Sequence, residues 1–217
     1  MHIPSLAASG TPCIVTSIIA GIGISVAVYK ASQASCKPSF VKFAAVSSLI
    51  CMGQMFDLPF HGIVPAHLIG GVLAVSLLGI PFGVLSLVFV LSAQCLLFRD
   101  GTMSALGANV IQMAFMAAGF GGLIKTCLSK HNLKELGKYV ILGLSAWASV
   151  VSASIFCALT LFWDHSTMLS QNLIEIFGIH LLIGTGEAFA TIAVVYLFAV
   201  ALRPASSQQQ AVALFTL

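Results

Sequence analysis

Apolar residues in this chain do not alternate with polar ones. They come in long runs, broken at intervals by Pro, Gly and a few charges, at about 12–29, 43–56, 64–80, 82–98, 105–124, 139–162 and 176–202. About 20 apolar residues, rising about 1.5 Å each, cross the roughly 30 Å of hydrocarbon in a bilayer. The pattern therefore predicts an all-α integral membrane protein with about seven transmembrane helices. No repeat, linker or low-complexity tract interrupts it, so residues 1–217 read as a single domain.

One boundary is not fixed by the runs alone. From His67 to Phe98 there is no charge, and this length fits one over-long helix or two helices meeting at "LLGIPFGV". Cytoplasmic loops carry an excess of Lys and Arg. A turn at Gly79-Ile80-Pro81 puts Lys30, Lys37, Lys42, Lys125, Lys130, Lys134, Lys138 and Arg203 on one side and leaves Arg99 alone on the other. Without that turn, the four lysines from 125 to 138 fall opposite Lys30, Lys37 and Lys42. The asymmetry selects the turn, with the N-terminus outside and the C-terminus in the cytoplasm. It also makes the third helix short, with an outer end that is re-entrant or sits in a protein-lined cavity.

Composition agrees with the pattern. Of the residues, 59% are hydrophobic and 7% are Asp, Glu, Lys or Arg, against about 25% charged in soluble domains. The spans leave no room for a soluble catalytic domain. The first charge, Lys30, follows the first apolar run rather than preceding it, which is not the order of a secretory signal. Met1 is therefore expected to persist ahead of the bulky His2. The six cysteines show no C-x-x-C spacing and read as packing residues. No G-x-x-x-x-G-K-[ST] is present for ATP and no H-E-x-x-H for a zinc hydrolase. No nucleic-acid partner is expected.

The predicted topology gathers the polar chemistry on the outer side: Met1-His2, Asp57, His61, His67, Asp100, Asp164, His165 and the end of the last run with His180. Met1-His2 offers an α-amine, an amide nitrogen and an imidazole Nδ1, spaced to close a five- and a six-membered chelate ring around one ion. A second imidazole would complete a square-planar set of four nitrogens, a geometry associated with Ni(II) or Cu(II). His67 is the best donor, because it begins the third run on the same side. Each residue also has a plainer reading: His2 as a tail residue, His67 as a helix cap, His61 as a solvated loop residue. Glu187 lies inside the last run, where an ionisable group suggests function; it shares a face with His180 two turns away. It reads either as a ligand or as a hydrogen-bonded packing residue. Asn109 and Gln112 share a face of the fifth run, and Gln94 ends the fourth.

The start "MHIP", the segment "PAHLIGGVLAVSLLGIPFG", the stretch "QCLLFRDGTMSALGANVIQM" and the late "GIHLLIGTGEAFAT" together resemble the CbiM/NikM family, the cobalt- or nickel-binding S component of energy-coupling-factor (ECF) transporters. The chain departs from the family at "SLAASG" after "MHIP" and at Asp100-Gly101-Thr102, where "DGG" is common. The resemblance implies a seven-helix protein in a bacterial or archaeal cell membrane. Its N-terminal segment would tuck into the outer side, and the metal ligands would be Met1, His2 and His67. It also implies a place for Asn109 in the hydrogen-bonded wall around that segment; from the residues themselves, His61 and Glu187 are added as further candidates around the site. The implied partners are a transmembrane coupling subunit, two ATPase subunits and a separate small membrane protein. The metal, Ni2+ or Co2+, would be cargo, with no catalytic cofactor. Two other readings of the residues remain: a gradient-driven metal transporter or channel working through Glu187, and a membrane metalloenzyme using Asp100, Asp164 and Glu187 around a metal with an open position.

Overall fold

The computed structural model describes residues 11–56, 67–128, 134–164 and 169–201. Among them every regular element is a helix. In chain order these are α1 (Thr11–Ser32), α2 (Phe40–Gln54), α3 (Gly71–Leu78), α4 (Ile80–Phe98), α5 (Met103–Leu128), α6 (Glu135–Asp164) and α7 (Leu169–Ala201). The end of α4, Gln94–Phe98, and the middle of α5, Val110–Phe120, are wound as wider π-helix. Such turns are rare and frequent at functional sites. α1, α4, α5 and long segments of α6 (Glu135–Leu161) and α7 (Phe177–Ala201) are long and apolar enough to cross a membrane; α2 is apolar but shorter. Ser39 starts α2 by accepting the Lys42 amide at 3.2 Å, a cap of about 1 kcal/mol.

The chain reverses at Gly79, whose φ of +84° a glycine adopts without steric cost. The hairpin it makes is tight: a Cβ on Gly83 would sit 2.8 Å from the backbone nitrogen of Val75. α3 itself is much shorter than the apolar run 64–80. It has eight residues, a length of about 12 Å, and residues 67–70 ahead of it are not helical. Residues 64–66 lie outside those described. The late start has a cause in the backbone, since Gly70 is left-handed at φ +77° and the amides just ahead of the helix bond to another helix's side chain.

Glycines set how closely α3 and α1 approach their neighbours. A Cβ on Gly71 would lie 2.6 Å from the backbone carbon of Ala117, and one on Gly107 would lie 2.6 Å from the backbone of Ser17. Small residues at such crossings let membrane helices pack backbone to backbone. The core runs through α3, α4 and α5, around Ile69, Val72, Leu87, Met113 and Ala117, with Val150 and Cys157 of α6 closing one side. The outward faces are at least as apolar as the core. On α1, Ile14, Ile18, Ile22 and Val26 recur every four residues and are exposed, while Thr16, Ala20, Ala27 and Ala31 are buried. Polar side chains turn inward instead, among them Gln54, Gln94, Asn109, Gln112, His180 and Glu187. That is the arrangement expected when hydrocarbon, not water, surrounds the helices.

Candidate metal site

His67 is the one expected ligand within the described residues; Met1, His2 and His61 lie outside them, as do Asp57 and His165. His67 is buried, at 1% exposure. Its Nδ1 stands 2.8 Å from the Leu68 carbonyl oxygen. A carbonyl can only accept, so Nδ1 carries the proton and the lone pair belongs to Nε2. A metal-ligating histidine uses the same arrangement: one ring nitrogen donates to a carbonyl or carboxylate and the other faces the ion.

The four residues 67–70 are irregular backbone inside the bundle, where every N–H and C=O needs a partner from the protein. Two distant side chains supply partners. Glu187 of α7 accepts the Ile69 amide on Oε2 at 2.6 Å and the Gly70 amide on Oε1 at 2.8 Å. These are amides at the start of α3 that no turn of the helix itself can satisfy, and a carboxylate there also meets the positive end of the helix dipole. From α2, Gln54 Nε2 donates to the Ile69 carbonyl at 2.7 Å. Ile69 is thus held on both its N–H and its C=O.

These bonds also tie the loop to the membrane-length part of α7. Glu187 lies within the membrane-length segment Phe177–Ala201 of α7. The start of α3 packs on Ala117, beyond the midpoint of α5. His67 is therefore held inside the bundle ahead of a short α3, on a stretch of chain that is not helical.

The other residues singled out in the sequence are placed as follows. Asn109 and Gln112 are buried on α5 at the junction with its π-helical stretch. His180 is buried on α7. Asp100 follows α4, its amide donating to the Gln94 carbonyl at 3.1 Å. Asp164 closes α6. All six cysteines are free thiols. Among the described residues no three His, Cys, Asp or Glu side chains gather closely enough to hold a metal ion. The sequence reading overlooked Gln54. Its signal was an amide in the last turn of an otherwise apolar run.

Known proteins fit the same architecture. Over 173 residues the chain is 33% identical to NikMN of Archaeoglobus fulgidus, named as a fused nickel transport protein; the match covers 78% of this chain and 56% of that one. Over 163 residues it is 29% identical to LarMN of Lactiplantibacillus plantarum, also named as a fused nickel transport protein, covering 74% of this chain and 48% of that one. The chain spans about half the length of the curated relatives it matches. The crystal structure of a transition metal transporter superposes over 99% of both chains with a TM-score of 0.80 at 27% identity. That of a truncated transition metal transporter covers 92% of this chain and 98% of its own, with a TM-score of 0.77 at 28% identity. The family described as the cobalt uptake substrate-specific transmembrane region matches residues 2–205. With that match over nearly its whole length, and with several helices built to cross a bilayer, this multi-pass membrane protein belongs to the CbiM family.

Proposed function

We propose that the chain is the metal-capturing membrane subunit of an ATP-driven importer of the ECF type, with a divalent transition metal, Ni2+ or Co2+, as its cargo. The observation that carries this reading is His67, which is buried at the head of α3 and presents Nε2 as its lone-pair nitrogen. It is supported by the family, named for cobalt uptake, and by relatives named for nickel transport. Met1 and His2 would supply the other three nitrogens. The square plane they form with His67 suits nickel. The N-terminus would face outward, and the ion would reach the cytoplasm only when the partners do work: a transmembrane coupling subunit, two ATPases and a separate small membrane protein. The chain itself would act as a transporter subunit, not an enzyme. Glu187 is poorly suited to shuttle protons for a gradient-driven carrier, because both of its oxygens are engaged by backbone amides.

The test uses the register of the N-terminus. Inserting one leucine between Met1 and His2 lets the amine, two amide nitrogens and the imidazole fill all four planar positions without His67. In the parent chain His67→Ala should weaken nickel binding by more than ~100-fold, beyond the 10–100-fold typical for a residue that merely orients a ligand. In the inserted chain the same substitution should change binding little, and ATP-driven uptake by the complete complex should fail. If uptake and the dependence on His67 both survive the insertion, the terminal amine is not a ligand and the reading is wrong.

A further inference from the structure

One peptide group joins two of the bonds around His67. The Leu68 carbonyl that accepts from His67 Nδ1 at 2.8 Å and the Ile69 N–H that donates to Glu187 Oε2 at 2.6 Å are the two ends of the same planar amide. The result is a continuous chain of donors and acceptors: imidazole N–H to carbonyl, then amide N–H to carboxylate. Hydrogen bonds in series polarise one another. A carboxylate drawing on the amide proton raises the negative charge on the carbonyl oxygen at the other end. That oxygen then holds the imidazole proton more firmly, and Nε2 becomes the better electron donor. Carboxylates that bond directly to a ligating histidine fix its tautomer and raise its basicity; here the same influence would pass through one peptide unit.

We propose that Glu187 is a positioning residue for metal capture, which sets the tautomer and donor strength of His67 through the Leu68–Ile69 peptide group. This rests on His67 being a ligand, as proposed above. The geometry favours the relay over a purely structural brace. A brace for α3 needs only amides to be satisfied, yet the Ile69 amide is the one covalently tied to the carbonyl that His67 uses. Glu187 Oε1 on Gly70 and Gln54 on the Ile69 carbonyl hold the neighbouring atoms, so the peptide cannot rotate away from either partner.

A double-mutant cycle on the full-length chain with its native N-terminus tests this, with nickel affinity and the visible absorption of bound nickel as readouts. Glutamine at 187 keeps the shape but is a weaker, neutral acceptor with one accepting oxygen in place of two, its other terminal atom being an NH2 that can only donate. Glu187→Gln should weaken nickel binding about 10–100-fold and shift the ligand-field band. Combined with His67→Ala, it should add almost no further loss, because no imidazole stands at the end of the relay. Wild-type affinity in Glu187→Gln overturns the proposal; so does an equal loss with and without His67, which marks a general effect on the fold. If His67→Ala leaves affinity intact, the metal-site reading itself fails, a separate outcome. Should Glu187→Gln not fold, Glu187→Asp takes its place in the same cycle, with nitrogen-15 NMR of the histidine-labelled, metal-free protein as a second readout, and an unchanged affinity and His67 signal in that variant overturns the proposal. The relay requires His67 protonated on Nδ1, and a proton on Nε2 rules it out.

Discussion

His67 and Glu187 are each buried to about 1% exposure, and both bond to backbone groups of residues 68–70. That makes Ile69, an apolar residue with no chemistry of its own, the point where their geometry is decided. Gln54 offers a clean test of this at the stability level. Gln54→Met keeps the length but removes the donor to the Ile69 carbonyl. A buried acceptor left unsatisfied costs about 1–3 kcal/mol, to be read as reduced thermal stability in detergent. Metal binding should respond to acid in a definite direction. Unperturbed α-amines and imidazoles titrate at about 7.7–8.0 and about 6.5, and protons compete with the ion for these nitrogens. Nickel affinity, followed by titration calorimetry, should therefore fall steadily from about pH 8 to about pH 6; a flat profile would argue against nitrogen ligation. The sequence made His67 and Glu187 visible as polar residues in apolar surroundings. It could not show that they share a peptide, because the two bonds join residues next to each other to one 118 positions away.

Among the elements, α3 departs furthest from its apolar run. Leu68 and Ile69 are as hydrophobic as the residues of the helix that follows, so hydropathy cannot locate the start of that helix. Gly70 and the amides bonded to Glu187 locate it. The turn at Gly79 was legible from charge asymmetry, a global signal that does not depend on local packing. A glycine in the sequence does not by itself mark a close helix crossing, because that depends on what lies opposite. Gly107→Ala forces a methyl to 2.6 Å from the Ser17 backbone, whereas at Gly21 the same methyl meets nothing within 4 Å. Overpacking of the first kind costs about 1–3 kcal/mol; the second replaces glycine in a helix and should be neutral or stabilising by up to about 1 kcal/mol. Thermal unfolding of the two variants should separate them in that order, and equal behaviour would refute the α1–α5 contact.

For the whole molecule, the lysine distribution predicts how the bundle sits in its membrane. In a variant retaining Cys36 as its only cysteine, an impermeant thiol reagent should leave intact cells unlabelled and react once they are opened. A cysteine introduced by Ser166→Cys in a cysteine-free background should react at once. The reverse pattern inverts the orientation. The bond between Glu187 and the head of α3 also bears on how the chain is made. Ile69 leaves the ribosome 118 residues before its partner, so the loop enters the bilayer with two amides that nothing yet satisfies. An acidic residue at the centre of an inserting helix adds about 2.5–3.5 kcal/mol, and Glu187 meets that cost in a membrane where its amides are already waiting. A chain that ends before α7 lacks the carboxylate for those amides, and it should be degraded faster than the full chain in a pulse-chase comparison; equal lifetimes would show that the bond does not matter to quality control.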